Sequence, residues 1–317
     1  MPNSRDLTII IVNYNTRDYL ARCLESLAGI SSISAEIIVV DNASGDLSVE
    51  MVGQRFPEAI VIANAENRGF AKANNQAIAI SQGRYFYFLN PDAEVRKGSI
   101  EAMISHMERH PDVGLAGTRL VNPDGSDQSS VESRYPGQKH AEKEMAGLKG
   151  DIAWVLGASM IARRMAIVNV GGFNEDFFLY GEEQDLCLRL RRAGWVIGYI
   201  PDAVVLHWGG KSERDYLPAD VWEKKFRAEL TFYRSHYSIR AVRRICLENL
   251  IQSVWRIVSL NLTLPFYAEK TLLNHKLDKY RVAFRVVLQT QQNRGHRGCH
   301  GSRGARPPGD DHLLDCW

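Results

Sequence analysis

Two residues that could bind a divalent cation each follow an apolar segment of the sequence. Asp92 comes after the run Tyr85–Leu89, in the sequence Asn-Pro-Asp, and His207 comes after a second apolar run. Carboxylate oxygen and neutral imidazole nitrogen are common ligands of divalent cations, and together they favour Mn²⁺ over Mg²⁺. Asn-Pro-Asp is also an ordinary turn sequence, and a single histidine is more often structural. For these residues alone, both explanations stay open.

Three acids in four positions form a second candidate group. Glu182, Glu183 and Asp185 begin a predicted helix, Glu182–Ala193, after an aromatic segment and Gly181. Acids at a helix N-terminus offset the helix dipole, which is the ordinary explanation of such a cluster. A carboxylate held against aromatic side chains can also have a raised pKa and act as a general base. The cluster therefore supplies candidates for proton transfer.

Segments with strand and helix patterns alternate around these residues. Leu7–Val12 is a β-branched run typical of a strand that is buried on both faces, and Thr16–Ala28 has the apolar spacing of an amphipathic helix. Glu36–Val40 and Tyr85–Leu89 are further predicted strands, and Phe70–Ser81 is a further predicted helix. This alternation predicts an α/β fold with a parallel sheet flanked by helices.

Polar side chains follow three of the predicted strands. They are Asn13 and Asn15, Asp41 and Asn42, and Asn90 and Asp92. In a parallel sheet, ligands bind beyond the carboxyl ends of the strands. One polar ending would be a turn, whereas three at the same edge predict a binding site.

A nucleoside diphosphate compound at this edge would need its negative charge neutralised. The sequence contains neither a P-loop nor a GxGxxG loop, which excludes two common ways of binding phosphate. A hard cation with oxygen ligands, completed by phosphate oxygens, is the remaining solution. Asp92 is placed to hold such a cation, and Asn90 either adds an amide oxygen or shapes the turn.

The composition is that of a soluble globular protein, with 45% hydrophobic and 24% charged residues. A formal net charge of +2 gives no support for a nucleic-acid partner. Five scattered cysteines without a CxxC pair argue against a zinc site or a disulfide framework and favour a cytoplasmic location. Polar residues interrupt the apolar stretches at Asn13 and within 250–268, so neither is predicted to be a signal peptide or a membrane span.

The sequence divides into a body, a basic helical extension and a tail. Residues 1–240 carry the alternating pattern, and within them the polar segment Asn122–Gly150 is predicted to be a mobile connection or lid. Residues 241–292 are helical and basic, and residues 293–317 have a composition typical of disorder. Basic helices with Trp and Tyr favour peripheral attachment to the inner face of an anionic membrane. A packed appendage or a contact between copies in a homo-oligomer explains the pattern equally well.

Six motifs occur in order within residues 6 to 240. They are IIIVNYN, VVDNASGD, NRGFAKANN, FLNPDAEV, GGFNEDFFLYGEEQDLCLRLRRAGW and VLHWGGKS. Together they resemble the inverting family 2 glycosyltransferases, in particular the rhamnosyltransferase-like branch. The resemblance implies a GT-A fold, in which a Rossmann-like nucleotide-binding half (1–120) is fused to an acceptor-binding half (121–240). The mostly helical remainder of the chain, which the resemblance does not cover, is predicted from its own pattern to be a C-terminal extension of this domain.

The resemblance also implies the reaction. Such an enzyme is a metal-dependent hexosyltransferase of cell-surface polysaccharide synthesis, with Mn²⁺ or Mg²⁺ as cofactor. It moves a sugar from a dTDP- or UDP-linked donor to a hydroxyl of a glycan or lipid-linked acceptor. Rhamnose is the first expectation for the sugar.

Matching positions suggest roles for individual residues. Asp92 and His207 would hold the metal, with Asn90 standing where the family has the first acid of its DxD motif. Glu183 stands at the usual base, with Glu182 and Asp185 as alternatives. Gly157 and Ala158 would lie under the acceptor. The nucleotide and donor would contact Asn13, Asn15, Asp41, Asn67, Gly69, Phe70, Lys72 and Asn90.

Two rival functions fit parts of the pattern. A sugar nucleotidyltransferase has a similar sheet, but it usually carries a glycine-rich basic loop after the first strand, where this chain has NYNTRDYL. A non-catalytic nucleotide- or glycan-binding module of the same fold would not need the acids at 182, 183 and 185 or His207. Both rivals are therefore disfavoured by particular residues.

Overall fold

The computed structural model describes residues 5–28, 33–210, 218–264 and 270–297. Residues 298–317, most of the tail predicted to be disordered, lie outside these ranges. Two compact units are formed, residues 1–248 and 249–317. The domain limits expected at residues 240 and 292 stay predictions.

The sheet of the first unit is built from segments rich in β-branched and aromatic residues, which suit a buried pleated surface. Along the described chain the strands are β1 (Leu7–Asn13), β2 (Ala35–Asp41), β3 (Ile60–Ala63), β4 (Tyr85–Leu89), β5 (Ala93–Val95), β6 (Val113–Val121), β7 (Asp127–Gln128), β8 (Val131–Glu132), β9 (Trp154–Val155), β10 (Ser159–Arg163) and β11 (Val196–His207). Across the main sheet the order is β3-β2-β1-β4-β10-β6-β11-β5, with β7 beside β6, while β8 and β9 pair separately. The strands β1 to β4 are mutually parallel, and β10 runs antiparallel to both β4 and β6. The helix-flanked sheet predicted from the alternation is therefore parallel in its first half and mixed beyond it.

Helices connect and cover these strands. Among the described residues they are α1 (Arg17–Ser26), α2 (Ser48–Arg55), α3 (Phe70–Ile80), α4 (Ser99–Arg109), α5 (Arg164–Asn169), α6 (Glu182–Arg192), α7 (Pro218–His236), α8 (Ile239–Thr263) and α9 (Lys270–Arg297). None of them, within the described part of the chain, has the length and apolar character that crossing a membrane requires.

Side chains of β1 alternate between two hydrophobic cores, because successive residues of a strand point to opposite faces. Ile9 and Ile11 belong to one core, with residues of α1, α2 and α4, whereas Ile10 belongs to the other, with residues of α3 and α6. Burial on both faces explains why this strand is an uninterrupted apolar run. The sheet is thus held rigidly between layers of helices.

The polar strand endings predicted from the sequence meet at one edge. Because β1, β2 and β4 are parallel, their carboxyl ends lie side by side, and Asn13 is directly opposite Asp41. A hydrogen bond of 2.8 Å joins Asn13 Nδ2 to Asp41 Oδ1. The candidate site is built on this edge.

The strand β11 delivers His207 to the same edge. It is one continuous strand, because a bulge after Ile200 lets its pairing with β6 continue. At its end β11 pairs antiparallel with β5, which sets His207 opposite Ala93. His207 therefore lies beside Asp92, the residue immediately before β5.

The segment Asn122–Gly150 differs from the predicted mobile connection. It contains β7, β8 and two short 3-10 turns, and it buries Tyr135 and Met145. The Tyr135 ring stacks on Phe232 of α7, and its hydroxyl donates to the Ala153 carbonyl oxygen at 2.5 Å. A polar composition conceals these anchors because they are few and irregularly spaced.

Gly69, which precedes α3, is required by its surroundings. Its φ of 81° and ψ of 170° lie in a region essentially restricted to glycine. A Cβ at this position would lie 2.5 Å from the carbonyl oxygen of Phe178, which accepts a hydrogen bond from the Phe70 amide at 2.8 Å. The loop before α6 is thereby joined to the start of α3.

We expect Gly69→Ala to lower the free energy of unfolding by at least about 1–3 kcal/mol, the cost of the strained backbone alone. Gly53→Ala is the matched control, because Gly53 lies within α2 with open space around it. That change should stabilise the protein by about 0.5–1 kcal/mol. Urea unfolding of both variants measures the difference, and equal stabilities would contradict the assignment of strain to Gly69.

Candidate active site

Asp92 and His207 form a buried pair at the carboxyl edge of the sheet. Nε2 of His207 lies 3.4 Å from Oδ1 of Asp92, and the residues are 7% and 3% exposed, respectively. The amide of Trp208 donates a hydrogen bond to the Asp92 carbonyl oxygen at 3.0 Å, which fixes the two segments of the chain against each other. The juxtaposition expected from the sequence is present.

Gln128 of β7 orients the imidazole of His207. Its Oε1 lies 2.9 Å from Nδ1 and accepts a hydrogen bond from it, which directs Nε2 towards Asp92. Among the described residues Nε2 has no hydrogen-bond partner, although it is buried. A metal ligand held by a second residue through its other nitrogen has this arrangement.

The protein ligands at this position are few. Within the described ranges, no group of three or more His, Cys, Asp or Glu side chains is suited to holding a metal ion. A cation at Asp92 and His207 would therefore need further oxygen ligands from elsewhere. Phosphate oxygens supply such ligands in many nucleotide sites.

A cavity of about 330 Å³ opens beside this pair. Its wall includes members of all four residue groups that the sequence singles out: the candidate metal ligands, the acids, the predicted acceptor-side backbone and two of the predicted donor-binding residues. The lining residues are Phe70, Asn90, Asp92, Gln128, Leu156, Gly157, Ala158, Leu179, Tyr180, Glu182, Glu183, His207, Gly209, Gly210 and Lys225. The site is thus formed by both halves of the first unit.

The acids enter the cavity through an unusual turn before α6. Tyr180 and Gly181 both have positive φ, 71° and 81°, and the first of these is uncommon for an aromatic residue. The turn places Glu182 and Glu183 in the first turn of α6, nearly fully buried. Gly157 faces Glu183, since a Cβ there would lie 3.8 Å from the Glu183 Cβ.

Burial raises the pKa of both glutamates. It raises the pKa of Glu183 to about 7, although backbone amides at Glu183 and Gly181 oppose the shift. The pKa of Glu182 lies well above its usual value because of burial first and the adjacent charge of Glu183 second. One glutamate of this pair is therefore poised to exchange a proton near neutral pH.

Asp185 has a different environment and does not line the cavity. Burial disfavours its ionised form, but His236 donates to Oδ1 at 2.8 Å and Arg189 donates to Oδ2 at 2.7 Å. These contacts more than offset burial and lower the pKa of Asp185. The structure thus separates Asp185 from the two glutamates and uses it to join α6 to α7.

A smaller cavity of about 70 Å³ adjoins the first one. The two share Phe70 and Leu179, so a ligand could extend from one to the other. The lining residues are Val12, Tyr14, Asn42, Asn67, Gly69, Phe70, Phe178, Leu179 and Lys224.

Four predicted donor-binding residues lie outside both linings. Asn13 is fully buried and holds Asp41, which also accepts a hydrogen bond from the Ser44 amide at 2.8 Å. Asn15 accepts from the Gly45 amide at 2.8 Å, and Lys72 is on α3 without lining either cavity. In this structure these side chains shape or flank the edge.

Several lining residues were not predicted from the sequence. Asn42 was noted only as part of a polar strand ending. Gln128 is hidden in a polar segment, and Lys224 and Lys225 look like ordinary surface residues of a basic helix. The Lys225 Nζ lies 4.7 Å from the centre of the Tyr180 ring, which draws the lysine towards the acids.

We expect Glu182→Gln to stabilise the protein more as the pH rises. A carboxyl whose pKa is raised by folding costs no stability below its unfolded pKa and costs increasingly more above it. The gain in Tm over the wild type should be near zero at about pH 4 and positive at about pH 8, at about 2–4 °C per kcal/mol recovered. Differential scanning calorimetry across this range measures it.

Glu66→Gln is the control for that experiment, because Glu66 is exposed in the loop before α3. Its Tm difference from the wild type should not change with pH. A Glu182→Gln profile parallel to that of the control would show that the buried carboxyl carries no electrostatic cost.

Two solved structures share the architecture. The mannosyltransferase PcManGT from Pyrobaculum calidifontis, in complex with GDP-Man and Mn²⁺, has a TM-score of 0.54 at 16% identity, covering 90% of this chain and 87% of its own. GalNAc-T7 with UDP, GalNAc and Mn²⁺ has a TM-score of 0.55 at 13% identity, covering 93% of this chain and 58% of its own. The chain has the GT-A fold of the glycosyltransferases, as the motifs predict.

The family follows from the sequence matches. The family model "Glycosyl transferase family 2" matches residues 8–172, slightly more than half of the 317 residues. The chain belongs to glycosyl transferase family 2, which confirms the resemblance found in the motifs.

Named relatives act on sugars. An N-acetylglucosaminyl-diphospho-decaprenol L-rhamnosyltransferase of Mycobacterium tuberculosis is 29% identical over 63% of this chain and 75% of its own. Rhamnosyltransferase WbbL of Escherichia coli is 27% identical over 75% of this chain and 93% of its own. A pre-mycofactocin glycosyltransferase of M. tuberculosis is 31% identical over 68% of this chain and 45% of its own. A rhamnosyltransferase-like glycosyltransferase is the class that these relatives support.

Proposed function

We propose that the protein is an inverting glycosyltransferase that moves a sugar from a nucleoside-diphosphate sugar to an acceptor hydroxyl. The observation that carries the proposal is the shared cavity, in which the Asp92–His207 pair and Glu183 form different parts of the wall. A site for the leaving diphosphate and a base for the acceptor are both needed for a single displacement. This geometry offers both.

The donor would lie across the two cavities. Its base would enter the smaller cavity between Tyr14 and Phe178, and its diphosphate would cross towards Asp92. Phe70 lies at the junction and would contact the ribose or the first phosphate. Asn90, Asn67 and Gly69 keep their proposed donor-binding roles because they line this path.

Asp92 and His207 fit a divalent cation, since the buried Nε2 of His207 has no hydrogen-bond partner among the described groups. When bound, Mn²⁺ or Mg²⁺ would neutralise charge on the diphosphate. Gln128 keeps the imidazole in the required tautomer. The Mn²⁺ in both solved structures of the same fold agrees with this assignment.

Glu183 would act as the base. It takes the proton of the acceptor hydroxyl while that oxygen attacks the anomeric carbon on the face opposite the diphosphate. The new carbon–oxygen bond forms as the bond to the diphosphate breaks, and the diphosphate leaves with the electron pair. A pKa of about 7 suits a base at neutral pH, and Gly157 and Ala158 line the same cavity as Glu183, where the acceptor would lie.

Lys225 would contribute positive charge to the same step. Its ammonium group lies against the Tyr180 ring at the cavity wall, between the proposed paths of donor and acceptor. A phosphate oxygen is a stronger partner for an ammonium group than an aromatic ring. We assign Lys225 to the diphosphate of the donor.

The finer identity of the substrates is supported by the relatives. Two named rhamnosyltransferases support rhamnose as the transferred sugar. That dTDP carries it is implied by the motif resemblance alone. A decaprenol-linked acceptor in one of them supports a lipid-linked acceptor in cell-surface polysaccharide synthesis. Such an acceptor would favour work at the inner face of the membrane.

We expect Glu183→Gln to lower kcat by about 10²–10⁴-fold while donor binding is retained. In the wild type, kcat should fall as the pH drops below about 7, because Glu183 becomes protonated, and the variant should lose this dependence. Product formation is measured with a panel of nucleoside-diphosphate sugars and a lipid-linked acceptor.

Glu182→Gln is the matched control at the neighbouring residue, and it should reduce kcat less than Glu183→Gln does. A larger loss in Glu182→Gln would move the role of base to Glu182. Near-normal turnover in Glu183→Gln would remove Glu183 from the mechanism. Donor binding without any product, in the wild type and with all donors, would favour a non-catalytic module.

We expect Asp92→Ala to abolish the part of nucleoside-diphosphate binding that depends on Mn²⁺. Gln128→Leu should weaken the affinity for Mn²⁺ by about 10–100-fold, because the residue that orients a metal ligand is lost. Asp127→Ala is the control, because Asp127 is next to Gln128 but bonds Arg119 at the surface. Calorimetric titration of dTDP and UDP with and without Mn²⁺ measures these effects, and unchanged affinity in Asp92→Ala would refute the metal site.

A further inference from the structure

One face of α8 exposes a row of large apolar side chains. The row consists of Ile251, Val254, Trp255, Val258 and Leu262, which are between 45% and 69% exposed. Their spacing of three, four and seven residues places them on the same side of an α-helix. We call this row the α8 apolar face.

Such a face is uncommon on the surface of a protein in water. Single exposed apolar residues are normal, but contiguous patches mark contacts with other proteins or with membranes. Trp255 stands in the middle of the row and is 67% exposed, although tryptophan is usually well buried. The face therefore needs a partner.

The charge around the face identifies the chemistry of that partner. In the sequence, residues 249–297 contain eight Lys or Arg and two Asp or Glu. On α9, in the same unit, Lys276, Arg281 and Arg285 are exposed. Basic residues near an apolar helix face with tryptophan suit an anionic lipid surface, where tryptophan prefers the headgroup level. A second copy of this unit would carry the same positive charge and be repelled.

We propose that the α8 apolar face lies on an anionic membrane and anchors the protein there. The helix lies in the plane of the interface, with Ile251, Val258 and Leu262 in the acyl boundary and Trp255 at the headgroups. The inference deepens the proposed function, since an acceptor linked to a lipid would be presented at this surface. The biological role of this membrane contact rests on the proposed function, whereas the membrane binding itself does not.

The test is flotation of the full-length chain with two kinds of vesicle. One kind contains phosphatidylcholine alone, and the other contains phosphatidylcholine with phosphatidylglycerol. We expect the wild type to float with the anionic vesicles, and less so as salt is raised. The double variant Ile251→Gln/Leu262→Gln should bind them at least about tenfold more weakly, since two large apolar side chains lose their burial.

Met165→Gln is the matched control, because Met165 is an equally exposed apolar residue on α5 in the other unit. It should float like the wild type. Quenching by brominated lipid should be smaller in Trp255→Phe than in the wild type, although the variant still binds. Unchanged flotation of the double variant, or equal quenching with and without Trp255, would overturn the proposal.

Two further measurements separate the alternatives. A lipid-free dimer of the wild type that the double variant loses would show that a second copy covers the face, and the proposal would fail. Sugar transfer to a water-soluble acceptor should be the same in the double variant and the wild type. Loss of that transfer in the double variant would contradict a face that serves only to anchor the protein. Absence of transfer by the wild type would refute the proposed function, whereas flotation would still decide the membrane contact.

Discussion

The pairing of β5 with β11 is the constraint on which the candidate site depends. These strands are distant in the sequence, and only their antiparallel ladder sets His207 opposite Ala93 and next to Asp92. The amide of Trp208 also donates a hydrogen bond to the Asp92 carbonyl oxygen, so the backbone as well as the side chains holds the two segments together. A sheet packed between two hydrophobic cores keeps this edge in place.

The acids require a second kind of support. Glu182 and Glu183 are adjacent, buried and mutually repulsive, which is unfavourable for folding in the ionised state. Asp185, in the same first turn of α6, is compensated by Arg189 and His236 and holds α6 against α7. This turn therefore carries two glutamates that line the cavity and one aspartate that bonds to α7. The electrostatic cost of the glutamates and the stabilising contacts of the aspartate thus lie within one turn of the helix.

The sequence alone predicts those parts of the fold and the site that depend on local patterns. The strands β1, β2 and β4 are continuous apolar runs, and their polar endings predicted the edge because parallel strands end together. The pair Asp92 and His207 could be proposed for the same reason. The glutamates were recognised by their place at a helix start after a glycine, although their pKa values depend on burial that no local pattern reveals.

Other parts of the site depend on contacts that local pattern does not encode. Gln128 reaches His207 through β7, a strand of two residues whose existence depends on pairing with β6. Lys225 is one of two adjacent lysines on α7, and only tertiary packing turns it towards Tyr180. Asp185 looked equivalent to its neighbours until the partner His236, which lies 51 residues away, was in place.

The link between Gly69 and Phe178 has a consequence for sequence variation. The backbone oxygen of Phe178 makes the hydrogen bond of the link, and both this oxygen and the Phe178 ring lie too close to position 69 for any side chain there, which fixes glycine at that position. The Phe178 side chain is otherwise half exposed and lines the smaller cavity. A different side chain at position 178 would therefore reshape this cavity, while the backbone hydrogen bond that joins the two segments stays in place.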